Sequence, residues 1–284
     1  MENGEVLPLR NAECIFLGND KRMTFAAQAL SNRGISVKLC SANYDIYGMP
    51  SIADKRFLIF PIPLSEKNFL DSIGCGVVKF CESIAKSNVS IVGVNADPSL
   101  SLAVRESGVE LIDIGNNEEF LTENAYLTAE AAVSIIMHKS DSSIRSQNIA
   151  LFGYGRISKF LLSILYSLKV KVSVYARRAE ARSLALCDGA FYAAPLEACE
   201  MVSALEKNDV VINTVPYFLL GADVLSCVRA RPYLMDLASL PGGIDVERAR
   251  DLGYNASREL GLPAKHAPRD AGEAFARAIY SELF

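Results

Sequence analysis

The sequence predicts an α/β protein built from two doubly wound parallel-sheet domains that are joined by a long helix. Three observations lead to this prediction. The length of 284 residues suits two domains of about 100 to 200 residues each. Short apolar runs alternate with helix-length segments in both halves of the chain, which is the pattern of parallel sheets. A long segment without glycine or proline separates the two halves.

The first half opens with a strand, helix, strand pattern. Its strand-like apolar runs cover 14–18, 35–40, 56–62, 89–94 and 109–114. Helical patterns lie between them at 24–32 and near 76–87. Ligands of doubly wound sheets bind beyond the carboxyl ends of the strands, and the segment 18–22 lies at such an end.

The chain from Glu123 to Lys139 contains neither glycine nor proline and has apolar residues at helical spacing. It predicts one long helix, which together with the polar turn after it makes a linking segment over 123–144. The first α/β domain is then 1–122 and the second is 145–265. The last segment, 266–284, predicts a helix that begins at Pro268, and we expect it to pack back on the first domain.

The second half repeats the alternation, starting at Ile149. Its further apolar runs are separated by helix-length segments and cover 170–175, 190–192, 210–213, 233–237 and 254–256. This pattern predicts the second parallel sheet.

The composition limits the classes of function. The net charge is −4, with 12 Lys and Arg against 18 Asp and Glu in 1–144 and 17 against 15 in 145–284. The second half is slightly basic, which suits a phosphorylated ligand, but it has no dense basic stripe of the kind that binds nucleic acid. No apolar run reaches the ~20 residues of a membrane span and no signal-peptide pattern is present. We therefore expect a cytoplasmic protein that binds neither nucleic acid nor membrane.

The seven cysteines are scattered, without a Cys-x-x-Cys pair or a nearby pair of histidines. They predict neither a disulfide framework nor a metal site. We expect reduced thiols in the apolar core, where free cysteine is commonly buried.

The sharpest signal is a glycine-rich turn between a strand and a helix. The run that ends at Phe152 leads into Gly-Tyr-Gly-Arg-Ile-Ser, and a helix follows. The first glycine permits a tight turn, and the second lets the backbone approach a pyrophosphate, which the unpaired N–H groups of the helix N-terminus attract. Serine is small enough to replace the usual third small residue. The pattern predicts a Rossmann-type dinucleotide-binding domain, with cofactor contacts from Gly153, Tyr154, Gly155, Arg156, Ile157 and Ser158.

The next strand ends without the carboxylate that NAD-specific domains place about 20 residues after the glycines. Arg177 and Arg178 stand there instead. Guanidinium groups bind a 2′-phosphate through charge-assisted hydrogen bonds of roughly 1.5 to 3 kcal/mol, so we expect NADP(H) to be preferred over NAD(H) by about tenfold or more. The alternative is NAD as the cofactor, with both arginines forming only the solvated start of a helix.

Two later strand ends fall where this fold brings loops to the cofactor. We expect the first to border the adenosine ribose and the second to lie at the nicotinamide, where a Pro-Gly-Gly turn supplies backbone freedom beside a flat ring. The residues concerned are Asn213, Thr214, Val215 and Pro216 in the first segment and Leu237, Ala238 and Ser239 in the second.

The chain resembles the dehydrogenase subunits of dipicolinate synthase, known as its A subunits, which sporulating bacteria make. The matching segments are 18–22 (Gly-Asn-Asp-Lys-Arg), 124–130 (Asn-Ala-Tyr-Leu-Thr-Ala-Glu), 153–156, 212–216, 236–243 (Asp-Leu-Ala-Ser-Leu-Pro-Gly-Gly) and 261–272 (Gly-Leu-Pro-Ala-Lys-His-Ala-Pro-Arg-Asp-Ala-Gly). The last two are the most specific. Asn19 and Ala264 depart from the family pattern, which has glycine at both positions.

The resemblance implies a reaction, a partner and a location. The reaction is the oxidation of dihydrodipicolinate, or of its open hydrated precursor, to pyridine-2,6-dicarboxylate. The partner is the enzyme's second, flavoprotein-like B subunit, and the location is the mother cell of a sporulating bacterium. We also expect a homo-oligomer. The second domain then binds NADP and the first lies on the substrate side.

A dicarboxylate substrate calls for cations and for a group that moves a proton. With the resemblance, the substrate-binding candidates are Asp20, Arg22, Asn124, Thr128 and Arg269, and the catalytic candidates are His266, Lys265 and Glu130. His266 is the first choice for proton transfer because histidine titrates near neutral pH; the alternative is an ordinary solvated histidine in a loop after Pro263. Asn124 and Thr128 form either a wall of the site or a hydrated helix surface. Asp20 either orients Arg22 or binds substrate through water.

Two other functions compete with this interpretation. One is a different NADP-dependent dehydrogenase that acts on a hydroxyacid or an amino acid. The other is a regulatory module that binds NADP without catalysis. Turnover of dihydrodipicolinate with NADP⁺ would separate the three.

Overall fold

The computed structural model describes residues 12–18, 20–40 and 55–284. These residues form two compact units, one made of the chain up to 124 together with 267–284, the other of 125–266. Each unit contains one parallel sheet with helices, which confirms the predicted α/β class. Asn19, one of the two departures from the family pattern, lies outside the described residues.

The sheet of the first unit has five described strands. They are β1 (Ala12–Leu17), β2 (Ser36–Cys40), β3 (Lys55–Ile59), β4 (Val89–Gly93) and β5 (Glu110–Asp113). Their order is β2-β1-β3-β4-β5, and every neighbouring pair is parallel. Each strand falls on one of the predicted apolar runs.

The helices of the first unit that connect these strands are α1 (Lys21–Ser31), α2 (Glu66–Ile73), α3 (Val77–Ile84) and α4 (Pro98–Glu106). No helix was predicted at α2 or α4, which have eight and nine residues. Both nevertheless carry start signals. The hydroxyl of Ser65 accepts a hydrogen bond from the Asn68 amide at the start of α2, and Pro98 is the first residue of α4.

Both faces of this sheet are covered by apolar side chains. On β1, Cys14 and Phe16 enter a core shared with α1, whereas Ile15 and Leu17 enter a second core on the opposite face. Because both faces of β1 are covered, its four successive residues 14–17 are all apolar instead of alternating with polar ones.

The long helix α5 covers Glu118–Lys139. It therefore begins before the predicted start at 123 and ends at Lys139, as predicted, where the polar turn of the linking segment 123–144 follows. Asn117 accounts for the earlier start, since its side-chain oxygen accepts a hydrogen bond of 2.9 Å from the Phe120 amide. The boundary between the two units falls within this helix, after Asn124.

The C-terminal helix α12 (Pro268–Leu283) packs against α1 within the first unit. Gly272 lies at the contact, where an added Cβ would come 2.7 Å from the carbonyl oxygen of Arg22. Phe275 and Ile279 are fully buried in the core that they share with Met23. The glycine thus allows the close approach of the two helices.

The sheet of the second unit has six strands. They are β6 (Asn148–Phe152), β7 (Lys171–Tyr175), β8 (Tyr192–Ala194), β9 (Val210–Asn213), β10 (Tyr233–Asp236) and β11 (Ala256–Arg258). Their order is β11-β10-β9-β6-β7-β8, all parallel, which is the strand order of a Rossmann sheet. The helices between these strands are α6 (Arg156–Ser167), α7 (Ala179–Cys187), α8 (Ala198–Lys207), α9 (Ala222–Leu225) and α10 (Val246–Asp251), and α11 (Leu262–His266) follows the last strand.

Two strands begin two residues later than the apolar runs that predicted them. The first residues of those runs, Ala190 and Tyr254, are buried, but they close the preceding helices instead of joining the sheet. The Ala190 amide donates to Ala185 O at 2.9 Å, and the Tyr254 amide donates to Ala249 O at 3.0 Å. Burial alone therefore did not mark the strand starts.

The prediction of a loop after Pro263 is wrong. Leu262–His266 form the short helix α11, which contains both Lys265 and His266. Proline is compatible with this position because residues in the first turn of a helix need no amide donor.

The prediction that the cysteines are core thiols holds for two of the seven. Cys14 and Cys81 are buried, Cys40 and Cys75 are half-buried, and the other three, Cys187, Cys199 and Cys227, are exposed. All seven are free thiols. The exposed three lie on helices of the second unit or within two residues of a helix end.

Candidate cofactor site

The glycine turn lies at the carboxyl end of β6, where the strand order reverses between β6 and β9. Gly153 has a φ of +92°, and its amide donates to Tyr175 O at 2.9 Å. A Cβ on Gly153 would lie 2.7 Å from Thr214 Oγ1 and 2.8 Å from Val215 Cγ2. Both the left-handed backbone and the contact with the loop after β9 therefore require glycine at this position.

The second glycine has a different role. Gly155 precedes α6 with an extended φ of −98°, and a Cβ there would meet nothing within 4 Å. No side chain caps the start of this 12-residue helix. No side chain thus occupies the N–H groups of its first turn, as an anion-binding helix N-terminus requires.

Ser158 joins the helix to the sheet. It is fully buried, and its hydroxyl lies 2.8 Å from Thr214 Oγ1, which in turn donates to Phe152 O at 3.0 Å. This chain of hydrogen bonds connects α6 with the ends of β6 and β9. The serine thus does more than provide the small volume that the motif needs. Of its neighbours, Ile157 is half-buried against the core and Arg156 is exposed.

Tyr154 is a structural residue of the turn. It is 8% exposed, and its hydroxyl donates to Asp188 Oδ2. Burial and the neighbouring Asp188 carboxylate raise the pKa of this phenol. Its contribution to a ligand would therefore come from the backbone.

The turn forms one wall of an open groove of about 250 Å³, here called the carboxyl-edge groove. Its lining residues are Gly153, Tyr154, Gly155, Ala176, Arg177, Arg178, Ala181, Leu196, Thr214, Val215 and Pro216. The structure thus brings the glycine turn, the arginine pair and the segment after β9 to one place, all within the second unit.

Arg177 and Arg178 are exposed in the loop between β7 and α7. A third arginine, Arg182, holds that loop from α7. Its Nη1 donates to Ala176 O at 2.9 Å and to Arg177 O at 2.7 Å. Arg182 was not predicted from the sequence, although its position one turn into the helix after the arginine pair was a signal that could have indicated it.

A buried carboxylate organises the loops that follow β9 and β10. Asp236 is fully buried, and its two oxygens accept hydrogen bonds from several groups of the second unit. The donors are Asn213 Nδ2 at 2.8 Å, the amides of Ala238, Gly243 and Ile244 at 3.2, 3.0 and 3.2 Å, and Arg258 Nε at 3.4 Å. Neither Asp236 nor Arg258 was predicted from the sequence to have a role.

The Asp236 carboxylate explains the Pro-Gly-Gly turn. Gly242 has a φ of +84°, and a Cβ on it would lie 2.6 Å from Asp236 Oδ2 and 2.7 Å from Arg258 Nη2. A Cβ on Gly243 would collide with Asn213 Nδ2. The glycines are therefore required by close packing around the carboxylate.

The three residues predicted for the nicotinamide end follow Asp236 directly. Leu237 and Ala238 are buried and Ser239 is exposed. None of the three is among the described residues that line the carboxyl-edge groove. Asn213 binds the backbone of the loop that follows β9. Its side chain donates to Val215 O and accepts from the Val215 amide, both at 3.0 Å.

In the first unit, Asp20 orients Arg22. Asp20 accepts from the Arg22 amide at 2.9 Å at the start of α1, and its other oxygen lies 2.6 Å from Arg22 Nη2. Arg22 is 6% exposed and also donates to Ile62 O at 3.4 Å. Of the two roles weighed for Asp20, the structure shows the one toward Arg22.

The remaining candidates differ in exposure. On α5, Asn124 is half-buried, Thr128 is buried and Glu130 is exposed. Asn124 and Thr128 share one face of this helix, while Glu130 lies about 200° around the helix axis from Thr128. Lys265 and His266 are exposed on α11. The guanidinium of Arg269 lies over the Phe25 ring, 5.6 Å from its centroid.

Two kinds of feature are absent from the described ranges. No group of three or more His, Cys, Asp or Glu side chains is arranged to hold a metal ion within 12–18, 20–40 and 55–284. Over the same residues, no helix combines the length and the apolar character that crossing a membrane demands.

Comparison with known proteins agrees with the resemblance seen in the motifs. No family model matches the chain. The A subunit of dipicolinate synthase from Bacillus subtilis is 27% identical over 170 residues, which are 60% of this chain and 56% of that protein. The chain therefore matches just over half the length of this curated relative.

Solved structures show the same fold over nearly the whole chain. The dipicolinate synthase A subunit from Bacillus halodurans superposes with a TM-score of 0.80 at 22% identity, covering 96% of this chain and 98% of that one. D-lactate dehydrogenase from Escherichia coli has a TM-score of 0.57 at 12% identity, with 96% of both chains covered. The resemblance to dipicolinate synthase A subunits is thus confirmed, and the fold is one that dehydrogenases share.

Proposed function

We propose that this chain is an NADP-dependent dehydrogenase that oxidises dihydrodipicolinate, or its open hydrated precursor, to pyridine-2,6-dicarboxylate. The observation that carries the proposal is the carboxyl-edge groove, where the uncapped start of α6 and the Arg177–Arg178 pair line one surface. The similarity to a curated A subunit of dipicolinate synthase supports the choice of substrate.

The groove suits a phosphorylated dinucleotide. The N–H groups at the start of α6 would hold its pyrophosphate, and the space beside Gly155 that no side chain fills would admit it. Arg177 and Arg178 would hold a 2′-phosphate, with Arg182 keeping their loop in place. When bound, the nicotinamide supplies the hydride acceptor.

The chemistry left to the protein is modest. A dihydropyridine dicarboxylate reaches the aromatic acid by losing one hydride and one proton, and much of the driving force is the aromaticity of the product. The chain must therefore hold the ring, bind its carboxylates and accept the proton. We assign the proton to His266 and carboxylate binding to Lys265, both of which are exposed on α11.

The other candidates receive lesser roles. Arg22 is already paired with Asp20. It would therefore offer a substrate only those guanidinium N–H groups that do not bind Asp20. Arg269 could reach a carboxylate only by leaving Phe25 or by using its outer edge. Asn124 and Thr128 stay in the proposal as residues of a site wall, whereas Glu130, on another face of α5, stays only as a catalytic candidate. The partner would be a flavoprotein-like B subunit, in the mother cell of a sporulating bacterium, and the chain itself would form homo-oligomers.

The test is a direct assay of turnover. Freshly generated dihydrodipicolinate is supplied with NADP⁺ or NAD⁺, and dipicolinate is read by its absorbance, with and without the purified B subunit. Product formation that requires this chain and runs faster with NADP⁺ is the expected result. Oxidation of a D-2-hydroxyacid instead would favour the other dehydrogenase class, and firm NADPH binding without any turnover would favour a regulatory module.

A further inference from the structure

A second cavity lies at the edge of the second sheet that is opposite the carboxyl-edge groove. It encloses about 210 Å³, and Lys139, Ser140, Gln147, Asp209 and Tyr233 are among its lining residues. Asn148, Val210 and Tyr233 begin strands β6, β9 and β10, so this amino-edge cavity lies at the amino ends of those strands. A strand of five residues separates it from the glycine turn by roughly 15 Å.

The amino-edge cavity contains a buried oxygen with no partner. Gln147 is 6% exposed, and its Oε1 has no hydrogen bond within the described parts of the chain. The Ser140 hydroxyl donates to Ser142 O at 3.1 Å and accepts from the Ser142 amide at 3.1 Å and from Gln147 Nε2. The nitrogen of the amide therefore faces Ser140, and the oxygen is left to accept from whatever fills the cavity.

The charges around the cavity favour a ligand with both signs. Asp209 accepts from the Asn148 amide at 2.7 Å through Oδ2, and its Oδ1 has no hydrogen bond to the described residues. The C-terminal end of α5, with its open carbonyls, also favours a cation beside Ser140. On the other side, the ammonium of Lys139 lies 5.0 Å from the centre of the Tyr233 ring, where it can meet an anion.

We propose that the amino-edge cavity binds a small zwitterion of α-amino acid size. Its ammonium group would donate to Gln147 Oε1 and Asp209, and its carboxylate would accept from Lys139. The site is separate from the carboxyl-edge groove and does not depend on the function proposed for it. Because the two sites lie at opposite edges of one sheet, both can be occupied at once.

The test uses the full chain and the twenty L-amino acids at about 10 mM, screened by ligand-observed NMR and followed by calorimetry. At least one should bind saturably, equally well with and without NADPH. Gln147→Leu and Lys139→Met should each weaken this binding by about tenfold or more, because each removes a charge-assisted hydrogen bond. For an amino acid that binds, the matching amine that lacks the carboxylate and the matching acid that lacks the amino group should both bind more weakly than the amino acid itself.

The matched control is Lys171→Met. Lys171 also lies over an aromatic ring, that of Phe191, but does not line the amino-edge cavity, so amino acid affinity should not change. Absence of binding by all twenty amino acids, together with a higher melting temperature for Gln147→Leu, would show that the cavity holds only water and overturn the proposal. Binding that neither variant alters would overturn it as well. If Gln147→Leu does not fold, the exposed Lys139 still provides a decisive variant.

Discussion

The arginine pair at the end of β7 allows a quantitative test of cofactor choice. Both guanidiniums are exposed in the carboxyl-edge groove, so the lower end of the range for a charge-assisted hydrogen bond, about 1.5 kcal/mol each, applies. Since 1.4 kcal/mol corresponds to a factor of ten, Arg177→Ala or Arg178→Ala should weaken NADPH binding about tenfold and the double variant about a hundredfold. NADH binding should change by less than about twofold, because NADH carries no 2′-phosphate to bind.

The assay is calorimetric titration of each variant with NADPH and with NADH at low and high salt. The preference of the unmodified chain for NADPH should fall as salt is added, because exposed charges are screened over about 10 Å at 0.1 M ionic strength. Arg248→Ala is the matched control, since Arg248 is an exposed arginine on α10 that does not line the groove. It should leave both affinities as they are.

Two outcomes of the titrations would contradict this assignment. If the double variant kept the ratio of NADPH to NADH affinity of the unmodified chain, the arginines would not contact the 2′-phosphate. Equal losses for both cofactors would instead show that the substitutions had disturbed the loop that Arg182 holds.

Three further outcomes follow from the geometry of the second unit. Gly153→Ala should lower the melting temperature, because alanine is strained at a φ of +92° and its Cβ would lie 2.7 Å from Thr214 Oγ1. Gly155→Ala should leave the melting temperature unchanged and still weaken NADPH binding, and loss of stability in both variants would contradict this reasoning. Asp236→Ala leaves Arg258 Nε and three loop amides without their acceptor, so it should cost about 3 to 5 kcal/mol in urea unfolding, with Asp245→Ala at the start of α10 as the milder control. A cost under about 1 kcal/mol would show that Asp236 does not organise the loops. Burial raises the pKa of the Tyr175 phenol from 10.0 to about 12, so the unfolded chain loses this proton at lower pH than the folded chain and the free energy of unfolding should fall between pH 10 and 12. Tyr175→Phe should make that fall with pH shallower, and an unchanged slope would exclude a contribution from Tyr175.

The glycine turn and the strands could be predicted from the sequence because their signals are local. Gly153 must be glycine on account of its own backbone angle, and each strand of the second unit shows as a short apolar run. The arginine pair was predicted for a similar reason, since a strand end at a fixed distance from the glycines is a position that can be counted. The structure brings these local signals together in the carboxyl-edge groove.

Local pattern was a weaker guide where helices are short or side chains act at a distance. Helices α2 and α4 each bury only two apolar side chains, too few for a periodic pattern, whereas α3, of similar length, buries four and was predicted. Pro263 is compatible with a loop or with the first turn of a helix. Apolar composition also did not distinguish buried Cys14 from exposed Cys187, because free cysteine occurs in both settings.

The α/β class, the two parallel sheets and the dinucleotide turn can all be derived from the amino-acid sequence, because hydrophobic periodicity and the need for glycine are properties of neighbouring residues. The pairing of polar groups that are distant in sequence is instead a property of the folded chain. Asp236 is joined to Arg258 across 22 residues and to Asn213 across 23. The unpartnered oxygen of Gln147 likewise became evident only when the end of α5 and the starts of three strands enclosed it. Such contacts depend on strand order, which local sequence patterns do not encode.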